Sequence, residues 1–283
     1  MRRSLVIAAG AAAVATAGAA GAADAASIQI RDAVARVTVV PEDRSDIKVE
    51  VLSPNPKLPL EVRSEGSDVV IDGGLRGRIW GCRGTSEHPR AWVTGVGSVD
   101  GGAIPLVVIR APRALAVESS GAVFGAIGRS SGVRLHDSGC DAWTIADVQG
   151  DVAVEESGKG SVRMGAVGRL DIRLSGAANV HAVRVRDGMY AQLSGTGGVQ
   201  VEQLAGPIEA QVSGLGHVRV AGGRASHVRA QISGMGGVEF GGSAETLDAA
   251  VSGVGSVHVK QVTGRVTKSV SGIGHVTVDD QRS

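Results

Sequence analysis

Five octets of one pattern follow one another: SGTGGVQV from Ser194, SGLGHVRV from Ser213, SGMGGVEF from Ser233, SGVGSVHV from Ser252 and SGIGHVTV from Ser271. Ser-Gly also recurs at Ser120, Ser138, Ser157 and Ser175, so nine dyads stand 18, 19, 18, 19, 19, 20, 19 and 19 residues apart. A period held that tightly over half the chain means stacked structural units, each too small to bury its own apolar face.

Inside one period the apolar residues alternate. Ile208, Ala210 and Val212 precede one Ser-Gly and Val218 and Val220 follow it; Val228, Ala230 and Ile232 precede the next, before Val238 and Phe240. Leu247, Ala249 and Val251, then Val257 and Val259, repeat the scheme. Period-two alternation rich in β-branched residues reads as strand, and nothing beyond the first residues reads as a long amphipathic helix. A unit of two short strands, with room for a third, stacks economically by coiling, so that each strand pairs with its equivalent in the next turn. The expected fold is therefore all-β: a single-stranded parallel β-helix, or β-solenoid, of about 19 residues per coil. At about 4.8 Å per coil its repeats would form a rod roughly 45 Å long.

The octet then marks a corner. Its glycines (Gly195 and Gly197, Gly214 and Gly216, Gly234 and Gly236, Gly253 and Gly255, Gly272 and Gly274) stand where positive φ or the approach of neighbouring backbone excludes a Cβ. Ser194, Ser213, Ser233, Ser252 and Ser271 stack there, with hydroxyls free to bond along the ladder or to their own turn. No lysine and no helix follows the glycines, so the motif is no phosphate cradle. No aspartate flanks them as in calcium-binding nonapeptide repeats, and neither a metal nor a cofactor is expected.

Arg2 and Arg3, an apolar stretch from Leu5 to about Ala20 and small residues through Ala25 make up the three regions of a secretory signal peptide, assigned to residues 1–26. A buried N-terminal helix is the alternative, though Gly and Ala offer it little area to bury. Later apolar runs fall short of a membrane span. Of 29 basic and 28 acidic side chains, the leader holds Arg2, Arg3 and Asp24, which leaves the rest balanced and argues against nucleic acid as a partner. The chain is expected to be exported, to the periplasm or the cell surface. Cys82 and Cys140 are the only thiols, and in an oxidising compartment they read as one disulfide; two buried free thiols are the alternative.

Residues 27–118 lack the repeat and read as irregular β coils capping the solenoid of 119–278, with a polar tail at 279–283. A long loop at 72–102 interrupts them, carrying Arg78, Trp80, Arg83, His88 and Trp92. Aromatic rings beside guanidinium groups suit a sugar or an acidic ligand; the alternative is a flap pinned over the first coils by Cys82. Trp143 falls at an inward valine position and reads as core. Gln192, Gln211 and Gln231 share one outward phase, where amides could bond along the rod. Between the corner glycines stand Leu215, Met235, Val254 and Ile273. Strict alternation turns them outward as an apolar stripe fit for a partner; a parity reset at the corner would tuck them into the core.

Catalysis on a β-helix needs carboxylates converging on one face. Asp137, Asp141 and Asp151 form the nearest acidic group, at different phases, and no nucleophile has an evident base, so no catalytic residue is assigned.

The stacked octets, the leader and the irregular β N-terminus together resemble the GIN-domain family of bacterial exported proteins, described as auto-transporter adhesin head domains. The resemblance covers roughly residues 28–278 and is strongest from Ser157. It implies a right-handed parallel β-helix-like fold in the cell envelope and brings no catalytic residues. The family tends to place Ser between the glycines and Asp after them, whereas this chain has the apolar four and then His217, Gly237, Ser256 and His275. No C-terminal membrane barrel follows the repeats in this sequence. The expectation is a non-enzymatic binding or structural module of the envelope, meeting an envelope protein, a second copy of itself or a glycan. A carbohydrate-binding or carbohydrate-active protein using the Trp80/Trp92 loop is the second reading.

Overall fold

A computed structural model describes residues 26–66 and 68–281, so the leader expected over residues 1–26 lies outside it except for Ala26, the first residue of a strand. From Ala114 onward each coil places one strand before the Ser-Gly corner and one after it. Gly132–Asp137 and Cys140–Ile145 form one such pair, Val152–Glu156 and Lys159–Val167 the next, then Leu170–Leu174 and Asn179–Val185. The ladders between successive coils are parallel, with Val133 paired to Val152, Val152 to Leu170, Leu170 to Met189 and Met189 to Ile208, and the register shifts just after Val220 and Phe240. A short third ladder joins 203–205 to 222–224 on the remaining side. The expected β-solenoid is the fold observed.

Alternation does the packing. Inward residues such as Leu170, Ile172 and Leu174 before a corner, and Val180 and Ala182 after it, are buried, while Arg173 and His181 between them face out. With so few aromatic side chains, the core is a column of thin aliphatic layers, each sealed by the layers above and below. Trp143 and Phe240 are the aromatic exceptions among the described residues of this column, both fully buried, Trp143 as its phase requires.

The corner glycines serve close approach rather than left-handed backbone. Among those of the five octets only Gly272 has a positive φ, 125°. At Gly195, Gly214 and Gly234 a Cβ would instead strike the carbonyl oxygen of the matching glycine one coil earlier: Gly176, Gly195 and Gly214. The serines bond along the ladder. Ser213 sends its backbone N–H (2.8 Å) and its hydroxyl (3.4 Å) to the same Leu193 carbonyl of the preceding coil. Gln192, Gln211 and Gln231 do stand in register. Their described hydrogen bonds run along the strand instead, from Gln211 Nε2 to Glu209 and from Tyr190 Oη to Gln192.

The N-terminal end is built out of sequence order. Ala26–Glu42 lies between the coil of Ala114–Ile127 on one side and, on the other, Asp68–Asp72 and Leu106–Pro112, which come later in the chain. Glu61–Glu65 and Lys48–Ser53 then run antiparallel along that outer coil, ending the parallel ladder with strands of opposite direction. The stretch read as a long loop is folded: Ile79–Arg83, Arg90–Val93 and Gly97–Asp100 form a three-stranded antiparallel sheet. Its Leu75, Ala91, Val93 and Val99 cover Val34, Ala122, Phe124 and Ala142, making a second apolar core outside the solenoid. At the far end Asp279–Gln281, expected as tail, belong to the last strand, His275–Gln281. Among the described residues no helix is long and apolar enough to cross a membrane.

Candidate functional site

One row of corners carries the features of interest. The residue after each Ser-Gly occupies a single column: Ala122, covered by the flap, then Cys140, Lys159, Ala177, Thr196, Leu215, Met235, Val254 and Ile273. Backbone bonds hold the column in line, from Leu215 N to the Gly195 carbonyl, from Met235 N to Gly214, from Val254 N to Gly234 and from Ile273 N to Gly253. Parity does not reset at the corner. Leu215, Met235, Val254 and Ile273 face solvent, with 46%, 60%, 56% and 83% of their surface exposed. On four adjacent coils these side chains make an apolar ridge about 14 Å from end to end.

Toward the other end of the row Cys140 is bonded to Cys82 of the flap, with an S–S distance of 2.08 Å; no free cysteine remains among the described residues. Trp80 is exposed on the same flap strand, its ring centre 5.7 Å from that of Trp92. Arg78 donates to the Thr94 carbonyl. Arg83 is placed elsewhere, opposite Arg90 in the flap ladder, and His88 lies in the turn between those strands. Of the five residues singled out in this stretch the fold thus brings together Trp80 and Trp92. Between the flap and the corners runs a groove of about 730 Å³, lined by Trp80 and Cys82 on one wall and Ser138, Gly139, Ser157 and Lys159 on the other.

Asp137, Asp141 and Asp151 stand at three different positions in the coil, and Glu156 joins the first of them. Asp137 and Glu156 are register partners on adjacent coils, both at the inward position just before Ser-Gly, and Ser119 holds that position one coil earlier. Asp141 lies inward just beyond the corner, and all three carboxyl groups and Ser119 are buried. Asp151 is exposed on another turn, where its carboxylate accepts the Arg169 N–H. Each buried carboxyl spends one oxygen on backbone: Asp137 accepts Gly139 N, Glu156 accepts Gly158 N and Asp141 accepts Val123 N. Their second oxygens meet no N–H or O–H donor, and neither does Ser119 Oγ. Burial, then the neighbouring Asp137, raises the Asp141 carboxyl well above the usual range. The same causes push Glu156 up to about 8. Enclosure separates these groups from any substrate in the groove, so they do not make a surface catalytic pair. Glu156 was findable in the sequence, because the column Ser119, Asp137, Glu156, Leu174, Leu193 changes from polar to aliphatic at a repeated core position.

Outward columns are mixed in charge. Arg219 pairs with Glu239 at 3.5 Å, and His181 with Glu202 at 3.3 Å. No family model matches this chain. No curated protein matches it either. Solved structures to which this chain is similar include a "putative adhesin" from Parabacteroides distasonis, 16% identical, with a TM-score of 0.49, covering 92% of this chain and 93% of that one. A protein of the same description from Bacteroides fragilis is 17% identical (TM-score 0.39; 90% and 92% covered). A "putative lipid binding protein" from P. distasonis is 13% identical (TM-score 0.37; 92% and 93% covered).

Proposed function

We propose that this chain is an exported, non-enzymatic binding module of the cell envelope, adhesin-head-like, that meets its partner along the ridge of Leu215, Met235, Val254 and Ile273. The carrying observation is their exposure in one aligned column, since a solvated corner has no packing reason to be apolar four times over. A disulfide between the flap and the solenoid fits an oxidising compartment, periplasm or cell surface. The partner is an envelope protein or a second copy of the chain. The test is binding of the purified protein to intact envelopes, with sedimentation to follow self-association. Leu215→Asp plus Val254→Asp should abolish whichever association the wild type shows while the protein stays folded. A folded double variant that associates as before removes the ridge from the reading.

A second reading has its own observation: Trp80, 68% exposed and paired with Trp92 beside a groove floored by Ser and Gly, is suited to stacking on a sugar ring. A glycan array with a tryptophan fluorescence titration separates the two readings. Saturable quenching by one sugar class favours the flap groove, and a flat response leaves the ridge.

A further inference from the structure

We propose that Asp137, Asp141 and Glu156 form a proton-sharing pin beneath the flap-bearing corner, tightening that end of the solenoid in acid and relaxing it as the pH rises. The geometry comes first. Later coils fill this inner corner with Leu174 and Leu193 before the turn and with Ala178 and Gly197 after it, whereas these two coils fill it with three carboxyl groups. Gly160 leaves room for them, since a Cβ there would lie 3.2 Å from Glu156 Oε2. Each group has one oxygen fixed by a backbone N–H, and the oxygens left over are enclosed with no donor among the described residues. A proton retained on one carboxyl supplies such a donor to its neighbour: Asp137 stands directly opposite Glu156 in the ladder, and Asp141 lies inward just across the same Ser-Gly corner.

The surroundings offer no other relief. On the preceding coil Ser119 faces the cluster and brings no charge, and on the following coil Leu174 takes the inward place. Lys159 is exposed at the corner, and the outward His136, Glu155 and Arg173 bond to one another. From the flap, Arg76 pairs with Asp32 and Arg78 with the Thr94 carbonyl. No ion pair to the three carboxyls is found among the described residues, and no group of acidic, histidine or cysteine side chains there is placed to hold a metal. Protons are therefore the counterion this enclosure fits.

The pin is coupled to the groove by covalent and packing contacts. Asp141 follows Cys140, which anchors the flap strand bearing Trp80. It also holds the amide of Val123, next to Phe124 under the flap. The sign is fixed by linkage. An acid whose folded pKa lies above its unfolded value binds a proton in the native state that the unfolded state has lost. Stability then falls as pH rises from the unfolded pKa, about 4.3 for Glu, to the folded one, about 8 for Glu156.

The experiment is urea unfolding of the full chain from pH 5 to 9, with amide hydrogen exchange at Val123, Gly139 and Gly158. The folding constant should drop about tenfold per pH unit for each proton held, flattening above pH 8, with the three amides less protected at the alkaline end. Glu156→Gln and Asp141→Asn, made singly, should each shallow the slope. A wild type with no slope between pH 5 and 8 overturns the proposal, whatever the variants do. So does a slope unchanged in a folded variant, or alkaline stability restored by calcium chloride and removed by EDTA, which would mark a cation site instead.

Discussion

Gly125 is the register partner of Trp143 on the next coil, and the space of its missing Cβ is where the indole lies. The pair explains how a chain of thin aliphatic layers accommodates one large ring: a glycine on the adjacent layer supplies the volume. Gly125→Ala forces the ring aside in a packed interior, which costs about 1–3 kcal/mol. Chemical denaturation should show a lower midpoint with an unchanged slope. The near-ultraviolet circular dichroism of the fully buried Trp143 should change with it.

The corner glycines divide into those that meet backbone and those that meet a side chain. At Gly214 a Cβ would strike the Gly195 carbonyl, which belongs to the ladder and cannot move alone. At Gly198 it would lie 3.2 Å from Asn179 Oδ1, the end of a side chain that can swing away. Gly214→Ala should therefore destabilise by about 1–3 kcal/mol, and Gly198→Ala by less than 1. Equal thermal shifts in the two variants would remove close backbone approach as the reason for the repeated motif.

This backbone constraint is also why so much of the fold was legible in the sequence. A carbonyl pressed against the next coil admits only glycine, so the corner prints its period on the chain, and alternation between corners gives the strands. The flap left no such trace. Its strands are four or five residues long, are antiparallel, and draw their burial from Phe124 and Ala142 on the solenoid rather than from a repeat of their own. The order of coils at the N-terminal end was hidden for a related reason, because Ala26–Glu42 pairs with strands reached only after the chain has doubled back. The carboxyl cluster was hidden by its phase. Asp137 and Glu156 share an inward column, at a position where the following coils carry leucine.

Cys82–Cys140 spans 58 residues and ties the flap to a corner of a coil formed later in the chain. Closing a loop of that length is worth roughly 4 kcal/mol in the chain-entropy account. Cys82→Ser plus Cys140→Ser should lower global stability by up to about that amount. It should also make the exposed turn around His88 a site of early proteolysis, since the flap would then be held by its small apolar core and scattered polar contacts such as Arg76 with Asp32 and Ser86 with Thr144. A double variant with wild-type protease resistance would show that these contacts suffice.

The ridge makes a prediction about stability apart from any partner. Leu215 and Val254 already spend about half their surface in water, so Leu215→Asp and Val254→Asp remove little burial, and each should change the folding free energy by about 0.5 kcal/mol or less. Val220, five residues from Leu215, points the other way and is fully buried. Val220→Asp would place an unpaired carboxylate between aliphatic layers and should unfold the neighbouring coils. Measuring all three by thermal denaturation checks the parity of the corner directly. If Leu215→Asp proved as damaging as Val220→Asp, the ridge would be core, and the exposed column on which the binding surface depends would not exist.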